Sequence, residues 1–466
     1  MTHSPPPHEP RLFRPPAPVP RDTPLGPFAT LAVLRRNPIE TWTQAHFDRF
    51  ILTGGTILGP AAVVSAPSAI RHILVDNAEN YRKDALQRRI LAPGLGDGLL
   101  TAEGEQWRTQ RRAAAPLFSA KNVQAFALPM ADIADALVSR WLRRRDGAII
   151  DMQKAMGRVT LDALQRTILG DGLGAAPENF MAALTSYFET IGRLDPADLL
   201  DLPDFVPRLA RWRSQKSLTF FDAAVDTILM RRKERAADAL ASVPRDLLTL
   251  LLEAQHPQTG AGLSDAEVRA NIVTFIGAGH ETTANALTWA LYLLSRSEEW
   301  QARLAREAER FSDMRAEVQN LVETRAVIEE AMRLYPPVAS LSREAMGPDT
   351  ILGRRIRKGT LVMIVPWVLH RHRRLWKDPD CFDPQRFLPG ARENIDRYAY
   401  LPFGAGPRLC IGAAFALQEA VIVLAAIVRN FRLRPVADHV VEPVQRITLR
   451  PRGGMPLIIQ RRRGSE

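Results

Sequence analysis

Hydrophobic residues recur with helical spacing over most of the chain, and one long segment is apolar on nearly every face. Ser264 and Glu267 form an S-x-x-E capping box, which satisfies the first free N–H groups of a helix. The apolar pattern that follows predicts a helix over 264–295, roughly 48 Å long at 1.5 Å per residue. Because no continuous polar face runs along it, we expect this helix to cross the centre of the protein.

The other segments predict a mainly α protein with a smaller β-rich portion. The stretch 60–73 suggests a short strand followed by a helix, and 122–251 is mostly helical, with few turn signals. In the last third, short β-like runs at 359–365 and 456–460 alternate with Pro-rich loops. The helical segments therefore outweigh the strands, and both are expected in one compact unit.

Nothing along the 466 residues resembles a repeat or a linker between independent domains. Residues 1–25 are Pro-rich and expected to be irregular, which leaves a single domain over 26–466. Hydrophobic residues make up 46% of the chain, enough for a large core.

Charge and cysteine content narrow the class of protein. The net charge is +11, but the basic residues are dispersed, which is typical of solvated faces and not of a nucleic-acid interface. Two cysteines in so long a chain indicate a reducing compartment. The Pro-rich N-terminus has no apolar core, and the apolar run 413–428 contains Gln418 and Glu419 and is too short to span a membrane. We therefore expect a cytoplasmic protein without a membrane span.

Several catalytic signatures are excluded. The sequence HETTA begins like a zinc-protease helix, but Ala284 stands where the second histidine is required. The glycine-rich stretches 94–99 and 404–409 each lack the third glycine of a dinucleotide fold, and no phosphate-binding G-x-x-x-x-G-K-[ST] occurs. With two distant cysteines and no paired histidines, a structural zinc site is not expected.

Cys410 lies in a glycine loop, FGAGPRLCIG, just before an apolar run with helical spacing. A metal, nearby positive charge and a helix N-terminus each lower a thiol pKa, and Arg408 lies two residues upstream. Gly404, Gly406 and Gly412 would allow positive φ, close approach to a flat ligand, and N–H groups that point at the sulfur. A lone cysteine is more often a buried structural residue, so the pattern around it has to decide.

The loop resembles the haem-binding loop of the cytochrome P-450 family, F-x-x-G-x-R-x-C-x-G, at Phe403, Gly406, Arg408, Cys410 and Gly412. The resemblance implies the cytochrome P-450 fold, α+β with a long central helix over haem b. It also implies that the Cys410 thiolate is the iron ligand, which favours O–O cleavage.

The sequence GAGHETT in the predicted central helix resembles the oxygen-binding segment of the same family. Small residues at Ala278 and Gly279 would let haem and O2 lie against the helix. The catalytic pair implied by the resemblance is Glu281, a proton-relay acid, and Thr282, a hydroxyl that hydrogen-bonds bound oxygen. Taken alone, such a threonine more often bonds back to the helix backbone, and His280 is assigned to packing or a polar contact.

Haem propionates require cations and hydrogen-bond donors. Trp107 and Arg111 match a W-x-x-x-R of the family and share a helix face, and Arg343 and Arg408 complete the expected set. The cofactor-binding residues implied by the resemblance are therefore Cys410, Trp107, Arg111, Arg343, Arg408, Phe403, Gly404, Ala278 and Gly279.

A structural cluster is expected beside the haem loop. Glu330 and Arg333 form the E-x-x-R of the family, three apart on one helix face, and Arg386 supplies the second arginine. Gln385 stands where an acidic residue is usual, a mild departure.

The resemblance implies a soluble bacterial haem-thiolate monooxygenase that inserts one atom of O2 into a small apolar substrate. No flavin or iron–sulfur segment follows Cys410, so electrons are expected from NAD(P)H through a separate ferredoxin or flavodoxin and its reductase. We expect a monomer. The segments expected to line the substrate pocket are 86–100, 274–282, 338–341 and 453–456.

Two other functions remain open at this point. A haem-thiolate peroxygenase or isomerase would tend to lack the pair Glu281 and Thr282, which is present here. A non-enzymatic haem sensor would need an output domain, and the sequence shows none.

Overall fold

The computed structural model describes residues 12–56, 59–169, 177–191, 195–199, 202, 206, 209–237, 246–255, 259–311 and 317–462. The α-helices in these ranges are α1 Pro27–Arg36, α2 Gln44–Asp48, α3 Pro67–Arg71, α4 Ala85–Leu95, α5 Gly104–Ala114, α6 Ala120–Ala125, α7 Ala127–Leu142, α8 Met152–Thr167, α9 Pro177–Ile191, α10 Pro196–Leu199, α11 Leu209–Ala237, α12 Leu247–Leu252, α13 Asp265–Ser295, α14 Glu298–Arg310, α15 Val322–Leu334, α16 Pro366–Leu369 and α17 Ala413–Asn430.

The strands are short and fall mostly in the last third of the chain. They are β1 Ile51–Thr56, β2 Gly59–Val64, β3 Tyr81–Arg82, β4 Ala148–Asp151, β5 Leu341–Ala345, β6 Asp349–Ile351, β7 Arg354–Ile356, β8 Leu361–Ile364, β9 Phe431–Pro435, β10 Pro443–Gln445, β11 Leu449–Pro451 and β12 Pro456–Arg461. One sheet has the order β1-β2-β8-β5-β3, with β2 and β8 parallel, and a second has the order β4-β12-β9. The pairs β10–β11 and β6–β7 are antiparallel hairpins.

The central helix predicted from the capping box is α13. The Ser264 hydroxyl accepts the N–H of Glu267 at 3.3 Å, and a Glu267 carboxylate oxygen accepts the N–H of Ser264 at 2.9 Å. Most of its side chains are buried, and it packs against α8, α15 and α17. The prediction of a helix through the centre of the protein is confirmed.

The mainly α pattern with a smaller β portion is also confirmed, including a strand and then a helix within 60–73. Strands β1, β3 and β4 lie outside the predicted strand regions, and β4 interrupts the stretch predicted to be mostly helical. Its partner is β12, which lies some three hundred residues later in the chain (Ala148 pairs with Ile459), and local periodicity carries no signal of such a partner.

Within the described residues, α17 is the one helix long and apolar enough to cross a membrane by length and composition. Most of it is buried inside the protein, where it packs against α7, α13 and α14. A core helix satisfies the same criteria, and the burial of α17 accounts for its hydrophobicity.

Candidate functional site

The loop that carries Cys410 is closed by backbone geometry. The N–H of Cys410 donates to the carbonyl of Phe403 at 2.9 Å, and Gly404 and Gly406 have φ of 73° and 71°. A Cβ on Gly406 would lie 1.8 Å from the carbonyl oxygen of Leu74, so any larger residue there would displace the π-helical turn 72–76. Glycine at 404 and 406 is therefore required by conformation and, at 406, also by contact.

Gly412 contributes differently from the expectation of positive φ. Its φ is −91°, and it is the N-cap residue of α17. Its N–H is hydrogen-bonded to Cys410, which is the tuning of the sulfur that was expected from the loop glycines. The expectation of positive φ was thus wrong for Gly412, while Cys410 does lie two residues before the helix cap.

Cys410 is accessible to solvent, but many protein atoms lie around its sulfur. These atoms raise the pKa of the thiol by desolvation, whereas the Gly412 N–H and the positive charge of Arg111 act in the opposite direction. The cation that acts on the sulfur is therefore Arg111 and not Arg408, which is paired elsewhere. In the protein alone the thiol is favoured over the thiolate, so a bound metal ion would have to displace its proton.

Four basic side chains lie together near the loop. Arg408 donates to the Glu103 carboxylate at 2.6 Å and lies over the Trp107 ring at 4.0 Å, and its charge reaches both Arg343 and Arg111. Burial, followed by the charges of Arg408 and Arg343, lowers the pKa of Lys83 to about 7. The structure thus brings together Trp107, Arg111, Arg343 and Arg408, as predicted.

Lys83, Glu103 and Asp84 were missed by the sequence analysis. Glu103 interacts with Lys83, Arg343 and Arg408, and Asp84 interacts with Lys83 and Arg343, whereas Arg111 interacts with the Cys410 sulfur. The basic groups of this cluster thus outnumber its carboxylates. Burial also lowers the pKa of all three arginines, so the cluster favours added negative charge. Anionic groups, such as the two propionates of a haem, would reduce this excess of positive charge.

Beyond its exposed first turn, α13 is accessible at one short stretch in its middle. Ala278 is exposed and Thr282, one turn later, is partly exposed, whereas residues 271–277 and 283–290 are buried. The Thr282 hydroxyl donates to the carbonyl of Ala278 at 2.7 Å. A small residue and a hydroxyl therefore share the face that is open.

Gly279 has a different role from the one expected. A Cβ there would lie 3.0 Å from Leu164 of α8, so its small size allows α8 to pack closely on α13. His280 is buried on the same side, where burial lowers its pKa to about 4. Its carbonyl accepts the Thr160 hydroxyl of α8 at 3.1 Å. The packing role assigned to His280 agrees with these contacts.

Glu281 points toward the β10–β11 hairpin. It accepts the Thr448 hydroxyl at 2.7 Å and lies 3.9 Å from Arg450. Burial raises its pKa, partly offset by Thr448 and Arg450. Thr448 and Arg450 were not singled out from the sequence, because RITLR carries no catalytic pattern of its own.

Phe118 connects the two sides of the site. Its ring stacks on Phe275 of α13 with centroids 5.6 Å apart and contacts Phe415 of α17 edge-on at 6.4 Å. A Cβ on Gly412 would lie 3.7 Å from the same ring. The cysteine loop and the central helix are therefore held at a fixed separation by an aromatic spacer.

The sequence from residue 52 to residue 457 matches the family model described as Cytochrome P-450. The chain belongs to the cytochrome P-450 family. It is 33% identical over 444 residues to cyclooctatin synthase of Streptomyces melanosporofaciens, covering 92% of each protein. It is 32% identical to cyclooctat-9-en-7-ol 5-monooxygenase of the same organism, covering 81% of this chain and 82% of the relative. The leukotriene-B4 omega-hydroxylase 3 of Mus musculus is 30% identical, covering 86% of this chain and 80% of the relative.

Membership establishes the reaction class: the cytochrome P-450 is a haem-thiolate monooxygenase that hydroxylates its substrate, and its Streptomyces relatives support a bacterial type. The described residues fit a haem. An accessible thiol in a glycine loop and an accessible small-residue surface of α13 are connected through Phe118, and the cationic cluster beside the loop suits the two propionates.

The family's structural cluster is present in this cytochrome P-450. Arg333 donates to both carboxylate oxygens of Glu330, at 2.6 and 2.8 Å, and both side chains are fully buried. Arg386 lies 3.8 Å from Glu330, an ion-pair distance without a hydrogen bond, and donates instead to the carbonyl of Asp378. Arg333 also donates to the carbonyls of three loop residues, namely His370, Pro379 and Cys381.

Two of the predicted pocket segments, 86–100 and 338–341, contact the central helix or the cysteine loop. The Leu99 N–H donates to the Asn271 side chain at 2.9 Å, and Gly98 lies directly against Ala270 and Thr274 of α13. Leu341 approaches Gly404 at 3.9 Å. The turn at 453–456 is held by Asp151, which accepts the Met455 N–H at 3.1 Å. The first two segments thus border the central helix and the cysteine loop.

Proposed function

We propose that this chain hydroxylates a small apolar substrate in the cytoplasm, with Cys410 as the iron ligand and electrons from separate redox proteins. The observation that carries the proposal is the accessible Cys410 thiol in its glycine loop, in a protein whose central helix α13 has an accessible surface at Ala278 and Thr282. When bound, the haem supplies the activation of O2 that amino-acid side chains lack.

The side chains around the haem position would bind and orient it. Trp107, Arg111, Arg343 and Arg408, with Lys83, would hold the propionates through charge-assisted hydrogen bonds. Phe403 and Gly404 would lie against the ring on the Cys410 side, and Ala278 on the opposite side, where a larger side chain would block it. Gly279 supports the same surface indirectly, through the packing of α8.

Glu281 and Thr282 would move protons on the open face of α13. Thr282 holds a proton at Oγ1 in its bond to the Ala278 carbonyl, and rotation about χ1 would turn that O–H toward the face. Glu281 is buried and its pKa is raised, which favours its protonated form relative to an exposed glutamate.

The substrate is expected to be apolar, because the segments near the site are apolar. The names of the relatives refer to different molecules, cyclooctat-9-en-7-ol and leukotriene B4, and so do not select one compound for this chain. Titrating the ferric protein with a panel of apolar compounds, and recording the spin-state change of the haem band, would identify the class that binds.

Electrons are proposed to pass from NAD(P)H through a reductase to a ferredoxin or flavodoxin, and then to this protein as a monomer. The net charge of +11 suits an acidic donor. Reconstitution with purified ferredoxin or flavodoxin and its reductase would show which donor supports product formation.

The assignment of Cys410 is tested by the reduced carbon monoxide spectrum. We expect Cys410→His to abolish the absorption band diagnostic of thiolate ligation, whereas Cys381→Ser, which alters the other cysteine, should leave the band unchanged. A normal band in the Cys410→His protein would refute the assignment.

A further inference from the structure

Arg450, on strand β11, lies between two carboxylates. Its Nη2 is 3.0 Å from Glu189 Oε1 on α9, and its Nη1 is 3.9 Å from Glu281 Oε1 on α13. Arg450 and Glu281 are largely buried, with side chains 10% and 13% exposed, whereas Glu189 is 52% exposed. One arginine therefore joins three elements, and its closer partner is the one nearer solvent.

The other contacts of Glu281 are few. Oε1 accepts the Thr448 hydroxyl at 2.7 Å, and Thr448 in turn accepts the Asn285 side-chain amide at 3.1 Å. Oε2 is buried and has no hydrogen-bond partner among the described residues. An ionised carboxylate in such a place would leave a charged oxygen unsatisfied, which costs more than an unpaired neutral carboxyl group.

We propose that Arg450 is a positioning residue for Glu281, and that Glu189 competes with Glu281 for it, so that the charge and orientation of the acid depend on where α9 lies. The inference rests on the proposed proton-relay role of Glu281. It gives Glu281 a partner on strand β11, Arg450, and gives that partner a second acid on helix α9, Glu189. Neither residue lies in a recognisable sequence motif.

The charge balance supports the competition. The charged groups described around Glu281 are Arg450 and Glu189, and its neutral polar neighbours are Thr448 and Asn285. In the observed arrangement Glu189 takes the shorter contact with Arg450, and Glu281 is left in an environment that raises its pKa. If α9 moved so that the 3.0 Å contact opened, the same arginine would be free to pair with Glu281 and favour its ionised form.

This arrangement links proton supply to the position of a helix that packs over α8 and α11. With α9 in place, the pKa of Glu281 is raised, and the protonated acid that this favours can pass its proton toward Thr282. With α9 displaced, Glu281 is ionised, held by Arg450, and can take up a proton again when Glu189 returns. No covalent bond other than that of the proton changes in this cycle, while Arg450 exchanges one carboxylate for the other.

The test follows the protonated carboxyl of Glu281 directly. Infrared spectra of the haem-loaded protein are recorded against pH, and subtraction of the Glu281→Gln spectra isolates the C=O band of the acid. We expect Glu189→Gln to move the midpoint of this band to lower pH by about one unit, because the competitor is gone, and Arg450→Met to move it to higher pH by a similar amount.

Two further variants separate positioning from simple stability. Arg450→Lys keeps the charge and should return the midpoint most of the way to wild type. Arg452→Met is the matched control, since Arg452 follows β11 directly and pairs with Glu442 at 2.8 Å. It should leave the Glu281 band unmoved.

Midpoints that stay at the wild-type value in Glu189→Gln, or that move in the same direction in Glu189→Gln and Arg450→Met, would overturn the proposal. If Arg450→Met does not fold, Glu189→Gln decides alone, because that half-exposed side chain can be replaced without loss of the core. A normal carbon monoxide band with an unmoved midpoint would reject the positioning role only. Shifted midpoints without that band would reject the proposed function only.

Discussion

Two arginine–glutamate clusters of this molecule look alike in composition and differ in construction. Glu330 and Arg333 are both fully buried, paired through two hydrogen bonds, and Arg333 donates to three further carbonyls. Arg450 is shared between Glu189 at 3.0 Å and Glu281 at 3.9 Å, and one oxygen of Glu281 has no partner among the described residues.

The difference shows when a buried ion pair fixes the structure around it and when its partners can be exchanged. Where the donors and acceptors of a buried pair are satisfied, as in Glu330 and Arg333, rearrangement would strand a charge out of water, so the pair fixes the structure around it. Where one cation serves two acids, its move to Glu281 leaves without a cation only Glu189, which is 52% exposed and can be solvated by water. The first cluster supports the segment before the cysteine loop, and the second adjoins the open face of α13.

The largest expected effect comes from breaking the first cluster. Glu330→Gln leaves the buried Arg333 without its anion, and we expect a loss of roughly 3–5 kcal/mol in the free energy of unfolding. Urea unfolding followed by circular dichroism measures it. Glu189→Gln, which removes the exposed acid of the second cluster, should change stability by less than about 0.5 kcal/mol. Equal losses in the two variants would remove the contrast between the clusters.

A change beside the second cluster should affect the coupling of electrons to product more than the free energy of unfolding. Thr282→Ala removes the hydroxyl beside Glu281, and we expect product formed per electron to fall about tenfold or more, with reductant diverted to hydrogen peroxide. Peroxide and product are measured together under one turnover assay. Haem content should stay normal.

Thr288→Ala is the matched control for this change. Thr288 lies on the same helix, and its hydroxyl also donates to the carbonyl four residues earlier at 2.7 Å, but its side chain is fully buried. It should leave the ratio of product to reductant unchanged. An equal loss of coupling in both variants would point to helix geometry and against a role for the Thr282 hydroxyl.

A third buried carboxyl extends the comparison to an acid without a cation. Glu419 of α17 is fully buried, neither oxygen has a hydrogen-bond partner among the described residues, and burial raises its pKa well above the ordinary value. Because the folded protein holds this proton more tightly than the unfolded chain, the contribution of Glu419 is most favourable below about pH 4.3. It is lost as pH rises toward the folded-state pKa, by up to about 1.4 kcal/mol per pH unit.

Glu419→Gln should therefore gain stability relative to wild type as pH rises from 5 to 7.5, as measured by urea unfolding at both values. The control is Glu307→Gln, which alters a buried glutamate that accepts three hydrogen bonds at the start of α15. That variant should lose about 1–3 kcal/mol. A stability difference for Glu419→Gln that does not change with pH would contradict the assignment.

The smallest effect is expected at the surface. Arg108 is paired with Glu79 and Glu105, whereas Arg112, one turn later on α5, is exposed. If an acidic electron donor docks on this face, Arg112→Glu should slow its association a few-fold at low salt, and the defect should shrink as salt rises, since screening acts beyond about 8–10 Å. Stopped-flow reduction at two ionic strengths measures both.

Arg306→Glu provides the same change of charge on an exposed residue of α14. An equal slowing in both variants would indicate an effect of net charge and not a docking site. No slowing of Arg112→Glu at low salt would reject the docking role.

Much of the architecture could be predicted because its signals are local. The capping box at Ser264 placed the start of α13, and the glycine loop placed Cys410 near the start of α17. The predicted convergence of Trp107, Arg111, Arg343 and Arg408 came from a family resemblance, and the structure brings them together.

Other features could not be predicted, because their partners lie far away in the chain. Gly279 looked like space for a cofactor, yet the space it leaves is against Leu164. The cation near the Cys410 sulfur proved to be Arg111, since Arg408 is paired with Glu103. Lys83 is a buried member of the cationic cluster, and the residues next to it in the sequence do not indicate that burial.

The sequence by itself determined the helices, the loop that offers the thiol, and the family to which the chain belongs, because capping, periodicity and glycine spacing act over a few residues. The tertiary structure decided which charge faces which. Glu281 reaches Thr448 across 167 positions, and Arg450 reaches Glu189 across a still longer stretch of the chain. The strength of each of these contacts depends on distance and burial, and both are properties of the folded protein and not of any short stretch of its sequence.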